Sequence, residues 1–226
     1  MTPLLGSMGL AGARRVEPEL LDTAPEEGNR ASLADLVRIN RLLGGHRIAR
    51  GLLAGLAPPA RFSMLDVGAA SGDMARCVRR AYPESTVVCA DLHVRHLAGA
   101  PPPRVVADAF RLPFAAGSFD YVFCSLFLHH FPDGEVARLL GDFGRVARRA
   151  VIALDLERSV LAEWFMPVTQ PLLRWHPITL HDAPASVRAG FRAKELAELA
   201  GLAGLGAAQI RRHAPWFRLS LVAAVS

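Results

Sequence analysis

The stretch from Phe62 to Met74 constrains the fold more than any other part of the chain. Its first half, Phe62 to Val67, is short and apolar, which is typical of a buried parallel strand. Small residues follow from Gly68 to Gly72, and residues 74–82 then have helical character up to Pro83. This order predicts the start of a nucleotide-binding unit, because the turn lets a ligand approach the backbone and the helix start offers free N–H donors.

The spacing within the turn separates two kinds of nucleotide site. A dinucleotide site follows the pattern Gly-x-Gly-x-x-Gly. The position five residues after Gly68 is Asp73, whose charge would repel a pyrophosphate at that point. The glycines are instead Gly68 and Gly72, and Asp66 ends the strand before them. The turn therefore does not fit a dinucleotide.

Two further predicted strands end in carboxylates. Residues 85–91 end at Asp91, which lies 23 positions after Gly68, close to the roughly 20 expected of an acid that binds a ribose. A carboxylate accepts two hydrogen bonds at once and so suits a cis-diol. Residues 104–108 form a third strand that ends at Asp108, and residues 118–125 form a fourth.

Together these motifs resemble the class I S-adenosylmethionine (SAM) methyltransferases. The resemblance rests on Asp66 to Gly72, on the two later strand-end acids, on Leu112-Pro-Phe114, and on Ser118-Phe-Asp120 before the fourth strand. It departs at Ala70, where the family has its middle glycine. Within the family, Leu128-His-His-Phe131 and Asp155-Leu-Glu-Arg158 are most similar to the small-molecule group, which includes ubiquinone and menaquinone C-methyltransferases and natural-product O-methyltransferases.

The resemblance implies an α/β fold of the Rossmann-like kind. It has a mostly parallel seven-stranded sheet with a reversed last strand, helices on both faces and an N-terminal helical lid. We expect a disordered leader over residues 1–16, the lid over 17–60 and the SAM-binding domain over 61–226, with an insertion at about 159–190 that covers the acceptor. Within the lid, Ser32 has the pattern of a helix cap.

The resemblance also implies SAM as the cofactor, S-adenosylhomocysteine (SAH) as the product, and a set of binding residues. SAM has no phosphate, and its sulfonium and amino groups are positive, so a site rich in carboxylates is acceptable. Asp91 would bind the ribose, Asp108 and Ala109 the adenine edge, and Arg41 the SAM carboxylate, unless its helix only packs on the domain. The predicted cofactor-binding residues are Arg41, Asp66, Gly68, Ala69, Ala70, Ser71, Gly72, Asp91, Leu92, Asp108, Ala109, Phe110, Cys124 and Ser125.

Histidines are the candidates for a catalytic base, because their pKa lies near neutral pH. His129 and His130 follow the fourth strand, and at most one of two neighbours on a helix can face the site. His181 beside Asp182 is a further candidate, as is His176, and a structural role stays open for each of them. We expect the other four histidines at the surface: His46, His93, His96 and His213.

A metal is not expected in the mechanism. A metal-dependent catechol-type site needs a cluster of oxygen ligands after the fifth strand. The chain's asparagines, Asn29 and Asn40, both lie near its start. The three cysteines have no metal-like spacing, which favours free thiols in a reducing cytoplasm.

The composition leaves a small-molecule acceptor as the leading partner. The net charge of +5 invites a nucleic-acid partner, but the arginines lie on separate helical faces without interleaved aromatics, so none is expected. No apolar run reaches the roughly 18 residues of a membrane span. Bulky groups such as Trp164, Phe165 and Met166 in the insertion favour an apolar or aromatic acceptor, with oxygen slightly ahead of carbon as the methylated atom. The alternatives are an RNA or protein methyltransferase, or a SAM-fold binding module without catalysis, which Ala70 favours.

Overall fold

A seven-stranded sheet lies at the centre of the part of the chain that the computed structural model describes, residues 14–225. The strand order is β3-β2-β1-β4-β5-β7-β6, and β7 runs in the opposite direction to the other six strands. This confirms the predicted sheet with its reversed last strand. The strands are β1 Ser63–Val67, β2 Thr86–Asp91, β3 Arg104–Val106, β4 Phe119–Ser125, β5 Ala147–Leu156, β6 Gln209–His213 and β7 Arg218–Ala224.

Helices cover both faces of the sheet, because the central strands are apolar on both sides. In β4, Val122 and Cys124 pack into the cluster with α5 and α8, while Tyr121 and Phe123 pack into the cluster with α3 and α4. The helices are α1 Leu20–Thr23, α2 Glu26–Leu42, α3 Gly45–Gly55, α4 Asp73–Ala81, α5 Asp133–Val146, α6 Val160–Leu173, α7 Pro177–Ala189 and α8 Ala193–Leu202.

The first long helix begins earlier than its sequence pattern predicts. Helix α2 starts at Glu26 and not at Ser32. Ser32 is buried inside the helix, and its Oγ lies 3.2 Å from Thr179 Oγ1 on α7. The predicted cap is therefore wrong, because this hydroxyl bonds across the helix–helix contact and not to its own backbone.

The N-terminal helices and the segment after β5 pack against each other. Ile39 of α2 shares a small apolar cluster with Met166 of α6 and with Trp175. The Arg38 guanidinium lies 4.6 Å from the Trp175 ring centre and donates to Leu173 O at 2.5 Å. The two segments form one layer, which we call the cap layer (α1, α2, α6 and α7).

Arg14 anchors the chain just before the cap layer. Its guanidinium donates to Ala189 O at 2.7 Å and to Phe131 O at 3.0 Å, and it lies 3.9 Å from the Phe191 ring centre. The leader predicted for residues 1–16 therefore reaches ordered contacts by residue 14, and its first thirteen residues lie outside the described part. Among residues 14–225, no helix is both long and apolar enough to cross a bilayer.

Candidate active site

A cavity of about 540 Å³ opens at the carboxyl ends of β1, β2 and β4. Strand β1 lies between β2 and β4 in the sheet, so this is the point at which the order of the strands changes direction. Such a crevice is where open α/β sheets bind ligands. Residues of α2, including Leu33, Leu36 and Asn40, close the cavity from above.

Most of the predicted cofactor-binding residues lie on this one cavity. The three strand-end acids meet there, although they are separated by up to 42 positions in the chain. The predicted residues that line it are Asp66, Gly68, Ala69, Ala70, Ser71, Asp91, Leu92, Asp108, Ala109, Phe110 and Ser125.

Three predicted residues do not line the cavity. Arg41 is exposed, whereas its neighbour Asn40 lines the cavity. Successive side chains on a helix point about 100° apart, so the two residues face different directions. Cys124 is fully buried in the core on the α5 side, which excludes its side chain from the site. Gly72 lies beneath the turn, packed against Ala100 and Pro101. The expectation for Arg41 is therefore wrong, whereas the prediction for Cys124 concerns its backbone groups and stays a prediction.

The turn after β1 adopts left-handed backbone conformations at alternate residues. Gly68 has φ of +67°, Ala70 +46° and Gly72 +71°. A Cβ on Gly68 would lie 2.3 Å from the Phe127 ring, so this glycine lets Phe127 pack directly over the turn. Ala70 holds a conformation that favours glycine, and its N–H donates to Asp91 Oδ2 at 3.0 Å.

Asp91 is held by a chain of hydrogen bonds that reaches the cap layer. Its Oδ1 accepts from His93 N–H at 2.9 Å and lies 3.4 Å from His96 Nδ1. Asn29 Nδ2 lies 2.9 Å from His96 Nε2, and because an amide nitrogen only donates, Nε2 accepts and Nδ1–H faces Asp91. Burial alone would raise the pKa of Asp91, but these hydrogen bonds outweigh burial and hold the pKa below its usual value. His96 is buried, so its predicted surface position is wrong.

Asp108 has its orientation set by its own turn. Its Oδ1 accepts from Phe110 N–H at 2.9 Å and so caps the short 3₁₀ turn Ala109–Arg111. The Phe110 ring lies edge-on to Phe131, with ring centres 5.4 Å apart. The carboxylate and the aromatic ring therefore border the same end of the cavity.

The floor of the cavity carries a buried carboxyl group. Burial first, and then the charge of Asp73, raise the pKa of Asp66 to about 8. Asp66 Oδ2 and Ser125 Oγ have no hydrogen-bond partner among the described residues. Asp73 accepts from Asn40 Nδ2 at 3.2 Å and lies 2.7 Å from His46 Nε2. A positively charged ligand would relieve the repulsion among these acids and satisfy the open oxygen atoms.

A second, apolar cavity of about 120 Å³ lies inside the cap layer. Ile39, Leu43, Phe165, Met166 and Phe217 are among its walls. Both cavities are lined by Glu19, Leu21, Leu36, Leu126 and His130, which therefore separate them.

His129 lies between two carboxylates. Its Nδ1 is 2.6 Å from Asp155 Oδ1, and its Nε2 is 3.7 Å from Glu19 Oε1. Burial alone would lower the pKa of His129, but the charges and hydrogen bonds of the two acids outweigh it and raise the pKa to about 9. The two acids therefore stabilise the imidazolium form of His129, which argues against its predicted role as the base.

His130 and His181 have different surroundings. His130 lines both cavities, its ring stacks on His129 with centres 4.3 Å apart, and its Nδ1 is 3.7 Å from Glu19 Oε1. The His181 side chain is 61% exposed, and neither cavity includes it. Its partner Asp182 accepts from the backbone N–H groups of Leu20 and Leu21, which fixes α1. His181 as the base is therefore wrong, because it lies on the outer side of α7.

Among the described residues, Glu19, His129 and His130 bring ligand-type atoms within 4.8 Å of one another. A metal ion lies in the plane of each imidazole that binds it. The two rings are stacked, with planes only 30° apart, so at least one would have to rotate to share an ion. The arrangement is better suited to an ion-pair cluster around Glu19.

Sequence reasoning missed several residues that line this cavity, among them Glu19, Asn40, Asp73, His96 and Phe127. Asn40 was recognisable only as a polar residue beside apolar ones. Glu19 lies before the first long helix, and no local pattern marks it. Burial of Glu19 and His96 depends on contacts with distant segments.

Comparison with known proteins supports the fold and the domain type. Residues 65–162 match a family described as a methyltransferase domain. A sequence comparison with curated proteins finds no match. Many solved structures share the fold at low identity.

One such structure is a protein from Nostoc punctiforme provisionally assigned as an O-methyltransferase, with 18% identity, a TM-score of 0.58, and coverage of 79% of this chain and 55% of that one. A second is the SAM-bound magnesium protoporphyrin IX methyltransferase of Synechocystis, with 14% identity, a TM-score of 0.54 and coverage of 84% of each chain. A third is a SAM-dependent methyltransferase from Aquifex aeolicus, with 14% identity, a TM-score of 0.55, and coverage of 84% of this chain and 97% of that one. The chain thus spans just over half the length of the Nostoc protein and most of the other two.

Proposed function

Residues 65–162 match a methyltransferase domain family, and from this match and the shared fold we propose that the chain transfers a methyl group from SAM to a small organic acceptor. The observation that carries the proposal is the convergence of Asp66, Asp91 and Asp108 on one cavity. SAM, when bound, supplies an electrophilic methyl group on a positively charged sulfur, and it leaves as SAH.

The residues of the larger cavity fit this cofactor. Asp91 is ionised and fixed by three donors, and its Oδ2 keeps one lone pair for a ribose hydroxyl. Asp108 and Phe110 suit the edge and the face of an adenine. Asp66 Oδ2 and Ser125 Oγ offer buried acceptors for the cationic amino-acid end.

The smaller cavity is our candidate for the acceptor. Its walls are mainly apolar, and its volume of about 120 Å³ is comparable with the roughly 150 Å³ apolar cavity that binds benzene in another protein. One ring of an aromatic acceptor fits without a change in the cap layer. Larger acceptors require α1 or α6 to move outward.

His130 is the residue we propose as the base. It lies on the boundary between the two cavities, where the acceptor atom and the methyl group would meet. The imidazole would accept the proton of an acceptor hydroxyl, and the Glu19 carboxylate, 3.7 Å away, would stabilise the imidazolium that forms.

Transfer of a labelled methyl group tests this function directly. The full chain is incubated with methyl-labelled SAM and a small-molecule extract of its host, and the products are identified by mass spectrometry. We expect label in a low-molecular-weight aromatic compound together with SAH. Label in RNA or protein would favour another class of methyltransferase. SAM binding without transfer to any acceptor would favour a binding module.

A further inference from the structure

We propose that helix α6 docks the protein onto the surface of an anionic membrane. The outer face of α6 carries five large apolar side chains that are more than half exposed: Val160, Leu161, Trp164, Val168 and Leu172, with exposures of 52 to 82%. No other helix of the described chain exposes more than two such side chains. Their spacing places most of them on one stripe of the helix.

The polar groups of α6 leave this stripe free of negative charge. The helix has one charged residue, Glu163, and its Oε1 binds Arg188 NH1 of α7 at 2.8 Å. Every residue of α6 classed as exposed is apolar, including the two prolines Pro167 and Pro171. An apolar face without carboxylates can enter the headgroup region of a bilayer at little electrostatic cost.

Arginines surround the carboxyl end of the stripe. Arg174 directly follows α6 and is exposed. Arg41 is exposed on α2, and the Arg38 side chain one turn before it reaches Leu173 O and stays 40% exposed, although it also pairs with Asp35 at 2.6 Å. These positive charges complement anionic lipid headgroups. Tryptophan is enriched at the membrane interface, where Trp164 would lie.

A second copy of this chain fits the stripe less well. Five side chains fall well short of the roughly 20 to 30 residues that each partner contributes to a stable interface. Antiparallel packing of two α6 helices would bring the arginines of one copy to the start of α6 in the other, where the carboxylates of Glu157 and Glu163 are already paired with Arg212 and Arg188. We therefore assign the stripe to a lipid surface.

Docking in this orientation would serve an acceptor dissolved in the membrane. The inner face of α6 contributes Ala162, Phe165 and Met166 to the smaller cavity. The same helix thus has one face toward the proposed acceptor site and one toward the lipid. This extension rests on the proposed function, whereas docking itself does not.

Flotation of the full chain with lipid vesicles tests the docking. The vesicles are phosphatidylcholine alone, or phosphatidylcholine with one third phosphatidylglycerol. We expect binding to the anionic vesicles that weakens with added salt, and a blue shift of tryptophan emission. Leu161→Ser/Trp164→Ser/Leu172→Ser should bind at least tenfold more weakly, because each side chain loses its apolar contact with lipid.

Three controls separate docking from other effects. Leu202→Ser and Val94→Ser remove side chains that are 78% and 70% exposed elsewhere and should leave binding unchanged. Trp164→Phe should bind vesicles but lose the blue shift. SAM affinity, measured by calorimetry, should be the same in all variants, so failure of docking is distinguishable from failure of the proposed function.

Three results would overturn the proposal. The first is vesicle binding by the triple variant at the wild-type level, and the second is no vesicle binding by the wild type. The third is a wild-type dimer in light scattering that the triple variant converts to a monomer without any vesicle binding, which would assign the stripe to a second copy.

Discussion

His129 Nδ1 lies 2.6 Å from Asp155 Oδ1, and this contact joins the turn after β4 to the carboxyl end of β5. Asp155 Oδ2 also accepts from the backbone N–H groups of Phe127 and Leu128. Burial alone would raise the pKa of Asp155, but the charge of His129 and the hydrogen bonds from His129 and the Leu156 N–H together outweigh it and lower the pKa to about 2. The pair therefore holds the boundary between the two cavities, and its charge state sets the stability of that region.

The pair predicts a specific pH dependence of unfolding. The pKa of His129 is raised to about 9 in the folded chain and is about 6.5 when unfolded. Its contribution is therefore complete below about pH 6.5 and is lost as the pH rises through about 9. For Asp155 the contribution is present above about pH 4 and is lost as the pH falls through about 2.

Asp155→Asn tests this dependence through the melting temperature. We expect the variant to be less stable by about 3 to 5 kcal/mol at pH 6, because a buried charge loses its partner. Its melting temperature should also fall less than that of the wild type between pH 6 and pH 9.5. Asp142→Asn, which removes a surface partner of Arg145, is the control. Parallel curves for the wild type and Asp155→Asn would contradict the assignment.

Substitution by alanine is predicted to have different effects on stability at Gly72, in the turn after β1, and at Gly134, in α5. A Cβ at Gly72 would lie 2.5 Å from Pro101 Cδ, and the residue has φ of +71°. We expect Gly72→Ala to destabilise the chain by about 1 to 3 kcal/mol. Gly134 lies in α5 with open space around the same position, so Gly134→Ala should be neutral or slightly stabilising. Chemical denaturation measures both, and equal effects would argue against the strain.

His130 and His181 form a matched pair of substitutions for the proposed base. With the acceptor identified, we expect His130→Ala to lower kcat on the order of 100-fold, the usual scale of general-base catalysis. SAM affinity should stay within about twofold of the wild type, because the substitution removes a proton acceptor but none of the predicted cofactor contacts. His181→Ala should change neither quantity, since this side chain lies outside both cavities. Equal losses in both variants would remove His130 from this role.

Removal of metal ions tests the proposed metal-independent transfer. We expect full activity after dialysis against a chelator, because the stacked rings of His129 and His130 are poorly placed to share an ion. Activity that is lost on chelation and restored by Zn²⁺ would instead assign Glu19 and the two histidines as ligands. A chain dialysed without chelator is the control.

The sequence was most informative where function depends on strand ends. Asp66, Asp91 and Asp108 each follow an apolar run, and parallel strands bring their carboxyl ends to one edge, so their meeting could be predicted. Which of Asn40 and Arg41 faces the cavity could not be predicted, because it depends on the rotation of α2 about its own axis relative to the domain. His129 and His130 were likewise indistinguishable until Glu19 and Asp155, more than 20 positions away on either side, were located.

His96 shows why surface and buried histidines are hard to separate in a sequence. It follows a loop without periodicity, and its partners are Asn29 and Asp91. The first of these lies 67 positions earlier on a helix whose start was misplaced. Only the packing of α2 over the sheet brings the three side chains together.

Calorimetric titration of SAM into the wild type and Asp91→Ala is the most direct test of the proposed cofactor site. Melting curves establish that the variant is folded, Asp91→Asn is a milder second variant, and Glu84→Ala, which removes a surface acid paired with Arg61, is the control. We predict at least tenfold weaker binding for Asp91→Ala, about 1.4 kcal/mol, because charge-assisted hydrogen bonds to the ligand are lost. SAM affinity within about twofold of the wild type in a folded Asp91→Ala variant would contradict the proposed site.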